Sequence, residues 1–114
     1  MKTSELIGAA LDWAVALITF PEPDYEESDR LAYVCGDDEF HFAPSANWAQ
    51  GGEIIERERI ELNYDDAIGW TAAYMDVRGL VECIGSTPLI AAMRCYVASK
   101  LGDEVEIPDE VTPC

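Results

Sequence analysis

Residues 85–102, GSTPLIAAMRCYVASKLG, specify a helix at both ends and through the middle. Ser86 or Thr87 can act as N-cap by accepting from a first-turn N–H, and Pro88 suits the first helical position because the donor it lacks would have no helical partner there. Leu89, Ala92, Met93, Tyr96 and Val97 recur at helical spacing and predict a buried stripe. Lys100 favours the negative end of the helix dipole, and Gly102 supplies a left-handed stop. The rest of the chain has to cover that stripe.

A second helix is predicted at the N-terminus. Ile7, Leu11, Ala14 and Ile18 repeat at helical spacing, with Thr3 or Ser4 as the expected cap and Glu5 in the first turn. Pro21 and Pro23 end it, and the acidic PEPDYEESDR follows as a loop. Between the two helices the pattern suggests strands. LAYVC and EFHFA flank the turn signal Gly36-Asp37-Asp38 and predict a hairpin, with His41 facing away from Phe40 and Phe42. In IIERERIEL, Ile54, Glu56, Glu58, Ile60 and Leu62 alternate with Ile55, Arg57 and Arg59, which predicts an edge strand after a loop at PSANWAQGG. AIGWTAAYM and VRGLVECIG then form an expected antiparallel pair about a turn at Asp76.

The expected fold is therefore α+β: a mostly antiparallel sheet of about five strands, with an N-terminal and a C-terminal helix packed on one face. At 114 residues and 49% hydrophobic content, one domain over 1–114 is expected, with an acidic tail at about 103–114 that hugs the surface or frays.

Charge excludes more than it assigns. Seven Lys plus Arg against 23 Asp plus Glu give a formal net charge of -16, so a nucleic-acid backbone would be repelled and direct nucleic-acid binding is not expected. Such a surface suits solubility or a basic protein partner. The N-terminal apolar run is broken by Glu5 and Asp12, so it reads as an amphipathic helix rather than a signal peptide, and no run is long enough to span a membrane. Cys35, Cys83, Cys95 and Cys114 are widely spaced and accompany a single histidine, so no metal site or cofactor is predicted, and reduced thiols are expected. No nucleophile triad, Walker loop, HExxH or dinucleotide fingerprint occurs, and carboxylate pairs such as Asp65 and Asp66 are expected by chance at this density, so no catalytic residue is assigned and the chain is read as a non-enzyme.

Two stretches could bind a small ligand. Trp48 could stack on a planar group, Gln50 could hydrogen-bond it, Gly51 and Gly52 would let backbone amides approach, and Arg57 could donate to it. A tryptophan plug and a glycine turn account for the same residues. At the start of the C-terminal helix, Ser86, Thr87 and Arg94 could hold an anion at the positive dipole end, although an ordinary cap and a surface arginine explain them equally.

Three blocks, MKTSELIGAALDWAVA, NWAQGGEIIERE and TPLIAAMRCYVASKLGDEVEIPDE, resemble the NinX family of small phage and prophage proteins. They cover nearly half the chain. The resemblance implies a phage origin and expression in the cytoplasm of an infected bacterium, but supplies no catalytic residue. Small non-enzymatic phage proteins often act against host defence, which suggests two functions. One is a sponge that sequesters a nucleotide-type immune signal through Trp48, Gln50, Gly51, Gly52, Arg57, Ser86, Thr87 and Arg94, as a homo-oligomer with Met93 and Tyr96 at the interface. The other is an acidic decoy, or DNA mimic, that occupies a basic host protein with the carboxylates of residues 22–29 and 103–110. The sponge is the preferred expectation, because the blocks that carry the resemblance are the glycine- and arginine-bearing ones.

Overall fold

The computed structural model describes residues 1–21, 24–35 and 41–111. Its elements run α1 (Gly8–Thr19), α2 (Glu27–Cys35), α3 (Trp48–Glu58), β1 (Glu61–Asp65), β2 (Gly69–Asp76), β3 (Gly79–Gly85) and α4 (Pro88–Leu101), after a short 3-10 turn at Thr3–Glu5. The class is α+β, as expected. The sheet has three antiparallel strands in the order β1-β2-β3 rather than about five.

The difference arises at two places where short apolar runs fit either period. Leu31–Cys35 is the end of α2, whose buried positions Arg30 and Val34 are four apart, and Glu27 and Asp29 favour its positive end. The expected hairpin therefore lacks its first arm; its turn and the start of EFHFA, residues 36–40, lie outside the described residues. The run from Trp48 to Glu58 is α3, capped by the Asn47 side chain, which accepts from Ala49 N–H at 2.8 Å. Gly51 and Ile54 are buried and Ile55 and Glu58 half-buried, a helical spacing that the alternation of IIERER conceals. Arg59 adopts a left-handed conformation (φ 57°), Ile60 N–H returns to the Ile55 carbonyl, and only then does the chain extend as β1.

The β2–β3 hairpin forms as predicted, with Asp76 opposite Gly79 across a turn at Val77 and Arg78. Leu62, Ala72 and Cys83 share one face, on which α4 lies across β2 and β3. On the other face Met75 pairs with Leu80, both exposed. Thr87 caps α4 by accepting from Ile90 N–H at 3.1 Å, and the helix ends at Gly102 with positive φ. Its burial runs right round, through Ala91, Met93, Cys95, Val97 and Ser99. That follows from the sheet on one flank and α1 and α3 on others.

α1 packs mainly on α4 and α2, so the two terminal helices do not lie side by side on the sheet. Nor does Thr3 or Ser4 cap α1, which starts at Gly8 without a side-chain cap. Thr3 serves the tail instead: its hydroxyl donates to Gly102 O at 2.7 Å and its N–H to Asp103 O at 2.8 Å. Beyond α4 the tail is packed rather than frayed as far as it is described, with Val105 7% and Val111 0% exposed. Cys83 and Cys95 are free thiols, whereas Cys35 takes part in a disulfide, against the expectation of reduced thiols. No described helix is long and apolar enough to cross a membrane.

Candidate functional site

The residues proposed for a small-ligand site occupy three places. At the first, Trp48 opens α3 and is 56% exposed, which leaves its ring accessible. Gln50 is committed to the fold: its Oε1 accepts from Ala43 N–H at 2.6 Å and its Nε2 donates to His41 O at 2.8 Å, which pins the segment leading into α3. Gly51 is buried, and a Cβ there would run into the Pro44 carbonyl oxygen and come within 2.6 Å of Leu89 Cδ2. The glycine thus permits close approach of the protein's own backbone. Gly52 has no such neighbour, only Trp48 Cε3 at 3.6 Å.

Arg57 lies about two turns further along. Its Nε donates to Glu58 Oε2 at 3.0 Å and an Nη to Tyr96 Oη at 3.2 Å. Glu58 also accepts from Tyr74 Oη at 2.9 Å and stands 3.8 Å from Lys100 Nζ. Burial pulls the Glu58 carboxyl up, but the hydrogen bonds from Arg57 and Tyr74 hold it below the ordinary carboxylate range. This is an internal network joining α3, β2 and α4.

At the third place, the start of α4, Ser86 is exposed and the Thr87 hydroxyl is taken by the cap. Arg94 comes to the edge of this entrance, at the carbonyl that precedes Gly85. Its Nε donates to Leu6 O at 2.8 Å and an Nη to Ile84 O at 2.9 Å, fastening the N-terminal segment to the end of β3. Leu89 and Tyr96, seven residues apart, face α3, and Arg94 lies about 140° around the helix from Leu89 at roughly 100° per residue. The Gly51–Leu89 contact brings the starts of α3 and α4 together, Arg94 is tied to the Ile84 carbonyl just before Gly85, and Arg57 is tied to Glu58 and Tyr96 at the other end of α3. Met93 and Tyr96, offered for an oligomer interface, are 0% and 4% exposed and belong to the core.

A different concave site emerges where two acidic segments meet. A cavity of ≈ 500 Å³ is lined by Trp13 and Leu17 of α1, Glu27 and Arg30 of α2, and Glu106, Ile107, Pro108 and Asp109 of the tail. Glu27, Glu106 and Asp109 are exposed. Arg30 is 4% exposed; it donates to Phe20 O at 3.0 Å and Tyr25 O at 3.2 Å, and its guanidinium stands 5.5 Å from the centroid of the Trp13 ring. Its charge is thus turned toward backbone carbonyls and an aromatic face, while the carboxylates rim the opening. Sequence reasoning singled out both acidic segments but not their meeting. The available signal was Val105, Ile107 and Val111, apolar positions that an unpacked acidic tail would not need.

Among the described residues no group of three or more His, Cys, Asp or Glu converges as a metal site. Comparison with protein families finds a match over residues 2–100 to the family described as Bacteriophage P22, NinX. No curated protein matches the chain.

Proposed function

The chain belongs to the Bacteriophage P22 NinX family and is a phage protein; from that premise we propose that it is a non-enzymatic counter-defence protein which binds and occupies a basic host protein in the cytoplasm of the infected bacterium. The observation that carries this reading is the groove in which Glu27, Glu106 and Asp109 surround an apolar floor of Trp13, Leu17 and Ile107. An apolar centre with a rim of one charge suits a partner segment that carries lysine or arginine beside an apolar anchor. Arg30 and Arg94 are held by backbone carbonyls, and with 23 Asp plus Glu against seven Lys plus Arg the surface as a whole is acidic, which supports this reading.

The test is capture from a bacterial lysate at low salt, with wild type beside a Glu27→Gln/Glu106→Gln/Asp109→Asn variant. A basic protein retained by wild type, released by salt and lost from the variant supports the reading. Retention of no basic protein, or retention indifferent to the three substitutions, overturns it.

The nucleotide sponge has one observation in its favour, the exposed Trp48 ring beside the neighbouring starts of α3 and α4. Arg57 and Arg94 each spend two donors on protein groups, which leaves fewer for a ligand. Incubation with cyclic nucleotides and ADP-ribose-derived signals, followed by heat denaturation, tests it through recovery of intact ligand. The homo-oligomer that goes with this reading is tested by sedimentation, where a monomer counts against it.

A further inference from the structure

We infer that the open face of the sheet is an interface between two copies of this chain, packed face to face with the second copy turned end for end. The sheet buries one face only. Leu62, Ala72 and Cys83 lie on the face that α4 covers, so the register turns Thr71, Ala73 and Met75 of β2, with Leu80, Glu82 and Ile84 of β3, the opposite way. On that far side Met75 is 72%, Leu80 55% and Ile84 54% exposed. Ten large hydrophobic side chains are exposed among the described residues, and five of them, Ile68, Met75, Val77, Leu80 and Ile84, lie on this face or in the turns at its two ends. Apolar residues scattered singly are ordinary on a surface, whereas a contiguous apolar sheet face marks a contact.

The face is complementary to itself. At the end nearest the β2–β3 turn, the paired Met75 and Leu80 project into solvent. At the other end Thr71 pairs with Ile84 beside a cavity of ≈ 300 Å³, which these two line with Ser4, Ile68 and Glu82. Ala73, paired with Glu82, lies midway between the two rows. A two-fold axis through Ala73, in the plane of the sheet and across the strands, therefore sets Met75 over Thr71 of the second copy and Leu80 over Ile84 of the second copy, and repeats both contacts the other way. A second copy is the occupant because the projecting row and the hollow one stand at equal distances from Ala73 on the same two strands.

The area suffices for a dimer that exchanges. The 8 residues of β2 at about 3.3 Å each, and three strands at about 4.8 Å, give a face of roughly 26 by 14 Å. With its side chains and both turns it buries about 500 Å² per copy, so about 1,000 Å² in all, which is the lower bound for a specific interface and well short of an obligate one. The rims oppose it. Glu61 and Glu82, level with Ala73 on the two edge strands, come near their own counterparts. Both are exposed, so each carboxylate stays in water and the cost is a repulsion that salt screens.

Sedimentation equilibrium of the full chain from about 10 μM to about 1 mM, at ionic strengths of about 0.05 and 0.5 M, reads the dimer dissociation constant. Wild type is expected to dimerise within that range and more tightly at the higher salt, the opposite of the salt response of a basic partner in the acidic groove. Met75→Glu and Leu80→Glu should each weaken the dimer at least about tenfold by carrying a charge into the apolar contact, and Glu61→Gln/Glu82→Gln should tighten it about threefold or more. Circular dichroism keeps the comparison to folded protein, since all four side chains are exposed in the single chain. Leu80 and Ile84 stand about 13 Å apart along β3, beyond the reach of a nuclear Overhauser effect within one copy, so methyl cross-peaks between them report a second copy turned end for end. A wild type that stays monomeric at about 1 mM, a dimer indifferent to both glutamate substitutions, or a dimer without the Leu80–Ile84 cross-peaks overturns the inference.

Discussion

Adjacent glycines in α3 should respond to alanine with opposite signs. Replacing glycine by alanine inside a helix gains about 1 kcal/mol from backbone entropy. At Gly52 nothing opposes that gain, since the new methyl would meet only Trp48 Cε3 at 3.6 Å, an ordinary contact. Gly52→Ala should therefore stabilise by about 0.5–1 kcal/mol. At Gly51 the methyl would stand 2.6 Å from Leu89 Cδ2, about 1 Å inside normal carbon–carbon contact, and would also overlap the Pro44 carbonyl oxygen. Leu89 is 3% exposed and Pro44 is fully buried, so neither can swing into solvent. Two overlaps at once put the cost toward the upper part of the usual range of about 1–3 kcal/mol, so after the helix gain Gly51→Ala should be destabilised by about 1–2 kcal/mol. Urea denaturation with the m-value compared across the three proteins measures both, and thermal melts should separate the variants by roughly 10 °C in Tm. If Gly51→Ala is as stable as wild type, or the two substitutions shift stability alike, the close approach of Pro44 and Leu89 is not what Gly51 is for. A glycine pair that opens the backbone to ligand amides would then be the better account of Gly51 and Gly52.

Arg94→Ala should cost about 1–3 kcal/mol, because Leu6 O and Ile84 O lose charged donors in a partly buried place; an unchanged urea midpoint would show that water replaces the guanidinium at no cost. Burial raises the Asp12 carboxyl above its ordinary value against the lowering effect of Ser45 and then His41. A raised folded pKa means that the folded state holds the proton more tightly, so the contribution of Asp12 is fully favourable below its unfolded value and is lost as pH rises through its folded value. Asp12→Asn keeps an acceptor for Ser45 N–H, which Asp12 Oδ1 now bonds at 2.9 Å. Its stability relative to wild type should be greatest at neutral pH and decline on acidification toward about pH 4, and urea titrations showing a constant difference would contradict the reasoning.

α4 and the β2–β3 hairpin were legible because their signals are local. Thr87, Pro88 and Gly102 act within a turn of the helix ends, and the alternation of Trp70, Ala72 and Tyr74 repeats with the strand period. LAYVC and IIERER were not legible because a run of five or six residues is too short to separate the helix period from the strand period, whether nearly all apolar, as in LAYVC, or apolar at two positions, as in IIERER. In α3 the deciding facts were the Asn47 cap and a glycine seated against Pro44 and Leu89, and the latter is a contact between distant parts of the chain. The site suffered from the same limit. Gln50, Arg57 and Arg94 were chosen for donors they do possess, but those donors are spent on His41, Tyr96, Leu6 and Ile84.

The sequence by itself determined the α+β class, the acidic surface, the caps of α4 and membership of a phage family, since each is written in neighbouring residues, in summed charge or in the order of residues. Only the tertiary structure decided where the polar groups point. A guanidinium or an amide satisfies whichever carbonyl folding brings within about 3 Å, and that depends on chain segments tens of residues away. The same long-range packing set Glu27 beside Glu106 and Asp109 in one groove, and the Cys95 thiol against Val81 O between α4 and β3.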